Sequence, residues 1–321
     1  MTTDEAGDDV AVRADSPGSM VIRDSLMPPS PLLPAPAGEL IRARYSCRTY
    51  RGEPITAEDR GRLSAFLEAN VDGPLGSRAR FRLVAASPGD QTALRRLGTY
   101  GFIKGATGFI VGAAQRAPKD LEDYGYLTEL AVLRATGLGL GTCWLGGTFS
   151  KSSFAARLGG LGRHETMPAV VSTGYPGDDG TGRIREREEG SRRLPSSELF
   201  FDGAFGRPLL VDDPAFAGAL EAVRTAPSAS NKQPWRVVRD GGDGRDWHFY
   251  LRRTPRYGKG SALFTVLRLA DLQRVDLGIA MCHFELVAGE LGRKGSWSAR
   301  DPRLPLPGPG VEYSATWRAK G

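Results

Sequence analysis

Residues 226–235 have the composition best suited to contacting a ligand, and they read Ala-Pro-Ser-Ala-Ser-Asn-Lys-Gln-Pro-Trp. Two prolines frame small hydroxyl and amide side chains, which favours a turn over a helix interior or a central strand. Small residues let the backbone approach a flat ligand, and Asn231 and Gln233 can donate and accept hydrogen bonds at the ligand's edge. We call residues 226–235 the Pro-Ser-Asn loop. An isolated loop of this composition is more often a plain helix-to-strand connection, so the other motifs must decide.

Two further stretches carry residues suited to an anionic or aromatic ligand. Residues 44–48 read Arg-Tyr-Ser-Cys-Arg, and residues 137–147 read Gly-Leu-Gly-Leu-Gly-Thr-Cys-Trp-Leu-Gly-Gly. Alone, the first is typical of a solvated helix end and the glycines at 137–141 are typical of a helix stop. They form no dinucleotide-binding fingerprint, because they follow a helix and Trp144 stands where the third glycine belongs. We interpret Trp144 and Cys143 as core side chains.

The composition indicates an ordinary globular protein. Of its 321 residues, 40% are hydrophobic and 25% charged, which is enough for a large core and typical of about two domains. The net charge is +6, and most basic residues are Arg, which suits planar recognition of phosphate. Basic and acidic residues alternate without a polybasic run or a zinc-finger spacing, so a small phosphorylated ligand fits better than nucleic acid.

Compartment and metal chemistry are constrained by what the sequence lacks. The acidic N-terminus has no apolar run behind it, and no segment approaches the length that spans a bilayer. The cysteines form no Cys-x-x-Cys pair, which indicates reduced thiols in a cytoplasmic protein. The histidines have no metal-ligand spacing, and neither a Gly-x-Ser-x-Gly elbow nor a Walker motif occurs. These residues are Cys47, Cys143, Cys282, His164, His248 and His283.

Hydrophobic periodicity and capping residues predict alternating helices and strands. A proline-rich arm over residues 1–36 is expected to be extended or mobile. Thr56 is expected to cap one helix, and Asp213 with Pro214 to start another. Further helices are expected to end near Arg44 and to cover 119–138 and 267–291. Strands are expected at 80–86, 108–114, 169–173, 235–239 and 247–252 and at the C-terminus, with an Arg-rich loop over 177–195.

The two halves of the chain resemble each other at a constant offset. Pro227 follows Pro74 by 153 positions, and Gly292 follows Gly139 by the same number, each within similar flanking residues. We interpret the chain as a fused duplication of one α+β unit, with halves over 37–200 and 201–321. The duplication is unequal. Only the second half keeps the Pro-Ser-Asn loop, and only the first keeps the Arg-x-Ser-x-Arg and Gly-rich stretches.

Together these three motifs resemble the FMN-dependent nitroreductase family over about residues 38–300, in a single-chain, TM-nitroreductase-like form. The resemblance implies an α+β nitroreductase-like fold. The family is normally a homodimer with two flavins in the subunit interface. The present chain is similar to such a dimer fused into one polypeptide, which implies a monomeric pseudo-dimer or a further homo-oligomer. Because each half retains what the other has lost, one composite FMN site is expected.

By resemblance, the first half binds the tail and edge of FMN. Arg44 and Ser46 are expected to hold its phosphate and ribityl chain, and Arg193 to close on the phosphate. Charge-assisted bonds of this kind are worth about 1.5–3 kcal/mol each. Arg48 is expected to place a cation at the pyrimidine edge of the flavin, where it stabilises the anionic reduced form. Lys104 is a further candidate for the ring edge.

The remaining candidates concern the flavin ring. Gly146 and Gly147 resemble the turn whose backbone N–H faces flavin N5, although the family often has an acidic residue where this chain has Gly146. The loop residues expected to line the ring are Pro227, Ser228, Ala229 and Asn231.

The resemblance implies an oxidoreductase that passes hydride from NAD(P)H through flavin N5 to a nitroaromatic, quinone or similar electron-poor acceptor. No side chain is assigned a catalytic role, because flavin and water can supply the protons. Three alternatives remain open at this point: a flavin dehydrogenase or desaturase that tailors a metabolite or peptide, a flavin-binding or storage protein without turnover, and a scaffold in which both sites are lost.

Overall fold

The structure is a computed structural model in which residues 32–90, 92–177, 192–257 and 269–320 are described. The helices in these ranges are α1 (Ala37–Ala43), α2 (Ala57–Ala69), α3 (Asp120–Gly137), α4 (Lys151–Arg157), α5 (Ser196–Leu199), α6 (Pro214–Thr225) and α7 (Leu272–Glu290). The strands are β1 (Ala79–Ala85), β2 (Gly108–Gln115), β3 (Gly141–Leu145), β4 (Glu165–Thr166), β5 (Val170–Gly174), β6 (Phe200–Asp202), β7 (Trp235–Arg239), β8 (Asp246–Arg252), β9 (Gly295–Ser298) and β10 (Val311–Ala319).

The strands of the described ranges form two five-stranded sheets. The first has the order β1-β2-β5-β3, with β4 paired to β2, and all its pairs are antiparallel. The second has the order β6-β7-β8-β10-β9. Its pairs are antiparallel except for the short parallel pair of β6 with β7.

The two sheets confirm the internal duplication. Four strands of each sheet are arranged alike. In the first sheet β2 pairs with β1 and β5, and β3 lies at the edge beside β5; in the second, β8 pairs with β7 and β10, and β9 lies at the edge beside β10. Each half also places one helix before its first strand (α2 or α6) and one long helix between its second and third (α3 or α7). Identical strand order and helix placement in both halves are what a fused dimer requires.

The long helices α3 and α7 join the halves through an almost bare backbone contact. A side chain at Gly125 of α3 would collide with the backbone of Val275, and one at Gly278 of α7 would collide with the backbone of Glu122 and Tyr126. Gly278 follows Gly125 by 153 positions, and Val275 follows Glu122 by the same 153. The contact therefore repeats itself under exchange of the halves, as an isologous dimer interface does.

Other contacts also cross between the halves. The N-terminal turn of α1 donates backbone N–H bonds from Ala37 and Gly38 to the carboxylate of Glu290, the last residue of α7. A carboxylate at this position accepts bonds from backbone N–H groups that have no partner within the helix, and its negative charge interacts favourably with the positive end of the helix dipole. Buried residues from α1, α3, α6, α7 and the second sheet form one continuous apolar cluster that includes Trp235, Trp247 and Trp317.

Local signals placed most helices correctly. The Thr56 hydroxyl accepts a bond from the backbone N–H of Asp59 at the start of α2, and Asp213 accepts one from Ala215 at the start of α6. The glycines after α3 do form a helix stop. Gly139 has φ +75° and its N–H bonds to the Thr136 carbonyl.

Several boundaries differ from the sequence-based expectations. Residues 141–145, taken as part of a glycine-rich turn, form strand β3, and α4, β4, β6 and β9 were not predicted. The boundary placed between residues 200 and 201 falls inside β6, which pairs with β7 of the second sheet. Most of the arm predicted over 1–36 lies outside the described residues, but Leu33 is buried in the main core, so packed chain begins before residue 36.

We expect Gly125→Ala and Gly278→Ala each to lower the free energy of unfolding by roughly 2–4 kcal/mol, because the added methyl meets backbone that has no rotamer to change. The measurement is chemical denaturation. Gly289→Ala in α7 is the matched control, since nothing lies within 4 Å of its added methyl. It should stabilise by about 0.5–1 kcal/mol. Equal effects at all three positions would contradict the close crossing.

Candidate functional site

The Pro-Ser-Asn loop has a backbone conformation that non-glycine residues rarely adopt. Ser230, Asn231 and Gln233 have φ angles of +52°, +52° and +47°. Left-handed conformations at such residues persist where the surroundings enforce them, and they cluster at ligand-binding sites. The loop is therefore shaped by its contacts and not by local preference alone.

The loop is held largely by its own polar side chains. The Ser228 hydroxyl accepts the backbone N–H of Gln233 at 2.9 Å. The Gln233 amide oxygen accepts the N–H of Leu194, and its nitrogen donates to the carbonyl of Arg192. Gln233 was expected to face a ligand edge, and this expectation is wrong. It is buried, and its amide fastens the 192–194 segment to the loop.

An aspartate from α7 anchors the middle of the loop. Asp276 is buried, and its Oδ1 accepts the Ala229 N–H at 3.0 Å. Its Oδ2 is buried without a hydrogen-bond partner in the described part of the chain. Burial raises the pKa of Asp276 well above its ordinary value, with a smaller contribution from the charge of Asp271 and only partial relief from the Ala229 bond. The carboxyl group is therefore held towards its neutral form.

The first half has a counterpart of this anchor. Asp123 of α3 precedes Asp276 by 153 positions. It accepts two backbone bonds from the decayed loop, from Leu75 at 2.8 Å and from Ser77 at 2.7 Å. Asp123 thus uses both oxygens on its own loop, whereas Asp276 uses one. Sequence analysis missed both residues, although the constant offset between two helical aspartates was a usable signal.

The basic stretch of the first half runs beside strand β3. Ser46 forms a parallel bridge with Thr142, and the Cys47 N–H donates to the Thr142 carbonyl at 2.8 Å. The Arg48 carbonyl accepts the backbone N–H of Lys104 at 2.9 Å. The structure therefore brings Ser46, Arg48 and Lys104 together at one edge of the first sheet.

Strand β3 leads into Gly146 and Gly147, which reach the second half. A side chain at Gly146 would collide with Leu272 in the first turn of α7. The Leu272 side chain thus takes the volume in which the resemblance places an acidic residue. At Gly147 the nearest atom to an added methyl is a Leu269 carbon at 3.9 Å, so this position stays open.

Leu272 and Asp276 bring the motifs of the two halves together. They are four residues apart on α7 and so share one face of its first turns. Gly146 of the first half contacts this face at Leu272, and Ala229 of the second half is bonded to it at Asp276. Arg193 also binds the Pro-Ser-Asn loop, because its Nη1 donates to the Ala226 carbonyl at 2.6 Å. The greater part of the Arg-rich loop predicted over 177–195, residues 178–191, lies outside the described residues.

A buried acid and base lie behind these segments. Glu129 of α3 and His283 of α7 are fully buried, with Oε1 and Nε2 3.0 Å apart. The other ring nitrogen of His283 lies 3.0 Å from the Ala222 carbonyl, and Glu129 also accepts the indole N–H of Trp144 at 2.8 Å. Both histidine nitrogens therefore lie within hydrogen-bond distance of acceptor oxygens. This pair links α3 to α7.

The charge of Arg44 belongs to the same cluster. Burial alone would raise the pKa of Glu129. The hydrogen bond and charge of His283, the charge of Arg44 and the bond from Trp144 outweigh it, so the pKa is lowered. Arg44 itself is buried. Sequence analysis identified Arg44 but missed Glu129 and His283, because isolated buried residues on long helices carry no motif.

Comparison with known proteins agrees with this geometry. Residues 38–288 match the model of the family described as "Putative TM nitroreductase". The chain belongs to this nitroreductase family. The family suggested by the three motifs is thereby confirmed.

Among solved structures, the nitroreductase chain is similar to a "putative nitroreductase" from Thermotoga maritima. That similarity covers 92% of this chain and 98% of the other, with a TM-score of 0.55 and 18% identity, and it shows the shared fold. A "putative nitroreductase" in complex with FMN from Desulfovibrio desulfuricans covers 44% of this chain and 87% of its own, with a TM-score of 0.35 and 25% identity. A nitroreductase with bound FMN from Bacteroides fragilis covers 44% of this chain and 89% of its own, with a TM-score of 0.34 and 24% identity. No curated protein matches the sequence.

Thiol chemistry, metal binding and membrane insertion concern the described part of this nitroreductase. Its three cysteines are buried and form no disulfide with one another. No group of three or more His, Cys, Asp or Glu side chains is placed to hold a metal ion within those ranges. None of the helices there combines the length and apolar character needed to cross a bilayer.

We expect Asp276→Asn to remove one pH-dependent loss of stability. The pKa of Asp276 is higher in the folded than in the unfolded protein. The stability that protonated Asp276 contributes is therefore fully present below the unfolded pKa of about 3.9, and it is lost as pH rises towards the folded pKa. The stability of the variant relative to wild type should therefore increase with pH, by about 1.4 kcal/mol per unit over that window. The measurement is urea denaturation at a series of pH values.

Asp123→Asn is the matched comparison for this prediction, because burial also raises the pKa of Asp123 while its two backbone bonds oppose the rise. An amide can accept only one of the two backbone bonds that Asp123 makes, so this variant should lose about 1–3 kcal/mol at neutral pH. Parallel pH profiles for wild type and Asp276→Asn would contradict the neutral state of Asp276.

Proposed function

We propose that the protein is an FMN-dependent oxidoreductase that holds one FMN between its two halves. The observation that carries this proposal is the meeting of the Pro-Ser-Asn loop and the Gly146–Gly147 turn on one face of α7. In the family, the corresponding motifs come from two subunits. Here one chain supplies both, and membership of the nitroreductase family supports a flavin as the ligand.

The described residues fit the cofactor. A flat ring needs close approach to backbone, and Gly147 leaves that space open while the loop adopts left-handed conformations that expose its backbone. An FMN phosphate carries a charge near −2, and two candidate cations are at hand: Arg44, whose charge acts on Glu129, and Arg193, which bonds the Ala226 carbonyl.

We assign the roles as follows. Arg44, Ser46 and Arg193 hold the phosphate and ribityl chain, and Arg48, with Lys104 behind it, places positive charge at the pyrimidine edge. The cation there stabilises the reduced, anionic ring. The remaining assignments are the backbone of Gly146 and Gly147 near N5, and the ring contacts Pro227, Ser228, Ala229 and Asn231.

When bound, FMN supplies N5 as the atom that accepts and returns hydride. The chain binds it, orients it and excludes water from its loop-covered face. We propose NAD(P)H as the donor and a nitroaromatic, quinone or similar electron-poor molecule as the acceptor, stacked in turn on the open ring face. The three cysteines form no disulfide with one another, which suits work in a reducing cytoplasm.

We expect Arg44→Ala and Asn231→Ala both to weaken FMN binding, although they lie in different halves. Loss of a charge-assisted bond should cost Arg44→Ala at least about tenfold in Kd, and loss of a neutral bond should cost Asn231→Ala about three- to tenfold. The measurement is FMN titration by visible absorbance after flavin extraction. Arg82→Ala, at an arginine whose Nη1 donates only to the Arg157 carbonyl, is the control and should bind FMN normally.

Two outcomes would contradict the proposal. A loss of affinity in only one of the two variants, with both folded, would reject a composite site. Anaerobic mixing of the flavin-loaded protein with NADH and with NADPH tests the activity, and a flavin absorbance that both donors leave unchanged would reject the nitroreductase direction.

A further inference from the structure

A cavity lies on the face of the second sheet that points away from α7. Its volume is about 290 Å³, and its walls are largely apolar, formed by Phe201, Phe205, Pro307 and Val311. Two arginines from adjacent strands complete it, Arg236 of β7 and Arg252 of β8. Leu272 and Asp276, which carry the proposed FMN contacts, belong to α7 on the other side of this sheet, and Arg236 joins the cavity to the Pro-Ser-Asn loop through its bond to the Gln233 carbonyl.

Arg236 is a buried cation, and the charge of the exposed Glu198 only partly offsets the lowering of its pKa. Only 6% of its surface is exposed. Its Nη1 donates to the carbonyls of Gln233 at 3.0 Å and Trp235 at 2.6 Å, while its buried Nε has no hydrogen-bond partner in the described ranges. No described carboxylate forms a salt bridge with it. Burial, and then the charge of Arg252, lower the pKa of Arg236 to about 10, so it stays charged at neutral pH.

The corresponding face of the first sheet carries an arginine that is paired with a carboxylate. Arg80 of β1 also projects from the face away from the long helices. It pairs with both oxygens of Glu165, at 2.7 and 2.8 Å, and donates to the carbonyls of Leu158 and Gly160. Arg80 is thus satisfied by a carboxylate. Arg236 lines a cavity and forms no such bidentate pair with a described carboxylate.

A second buried donor lies beside Arg236. Tyr250 pairs with Arg236 across β7 and β8, so both side chains project to the same face. Its hydroxyl is buried without a partner in the described part of the chain, and its ring packs edge-on against Phe205 at 5.0 Å. Burial raises the pKa of Tyr250, which keeps the hydroxyl protonated as a donor.

We propose that this cavity binds a small aromatic carboxylate, with its carboxylate at Arg236 and Arg252 and its ring against Phe201 and Phe205. The apolar walls favour a ligand with an apolar body over a free inorganic anion. The exposed carboxylate of Glu198 also lines the cavity and would repel a dianion more than a monoanion. Arginine is suited to such planar, bidentate recognition.

The test is isothermal titration of the flavin-loaded full chain with benzoate, with neutral benzamide and with inorganic phosphate. Benzoate should bind once per chain, at least about tenfold more tightly than the other two, because only it offers both the charge and the ring. Arg236→Gln should weaken benzoate at least about tenfold, and Arg252→Gln at least about threefold. Arg82→Gln, at an outward arginine of the first sheet, should leave it unchanged.

The same titration separates this cavity from the proposed flavin site. Binding at the cavity should leave the visible flavin spectrum unchanged and should survive Arg48→Gln. Benzoate binding that depends on Arg48 but not on Arg236 would overturn the proposal. So would equal affinity for benzamide, tighter binding of phosphate, or no binding. If Arg236→Gln does not fold, the exposed Arg252 still decides, since unchanged affinity in Arg252→Gln contradicts the assignment.

Discussion

The close crossing of α3 and α7 is the constraint on which the rest of the molecule depends. Backbone meets backbone at Gly125 and Gly278, and this contact repeats under exchange of the two halves. No side chain can occupy either position without moving a helix. The buried Glu129–His283 pair lies further along the same two helices and adds a hydrogen-bonded polar contact that is costly to break in an apolar surrounding. The relative placement of the halves is thereby set before any ligand binds.

Because the halves are placed in this way, motifs that each half has kept can meet even though the duplication is unequal. In a symmetric dimer both interfaces carry a complete site, but here each half has kept a different part. Asp123 uses both carboxylate oxygens on the decayed loop of the first half, whereas Asp276 binds the Pro-Ser-Asn loop through Ala229. In the proposed site, the first half supplies basic residues and a glycine turn, and the second half supplies the loop that covers the ligand.

Motifs and local chemistry predicted much of this from sequence. The helix caps at Thr56 and Asp213 and the 153-residue offset identified the duplicated fold, because they rest on short-range hydrogen bonds and on repeated residues. Strand β3 was missed because its small, glycine-flanked residues resemble a turn, and its strand character comes from pairing with β5. The inward role of Gln233 and the Glu129–His283 pair were missed because both depend on residues distant in sequence. Burial and partner geometry, which no spacing reveals, decide such roles.

The central claim is that one polypeptide forms one complete flavin site from two unlike halves. Native mass spectrometry of the flavin-loaded protein measures this most directly, since it counts chains and FMN molecules in the same particle. The account predicts a species with one FMN for each chain, including in the single-chain particle. Two FMN molecules for each chain, or FMN retained only in particles of two chains, would contradict it.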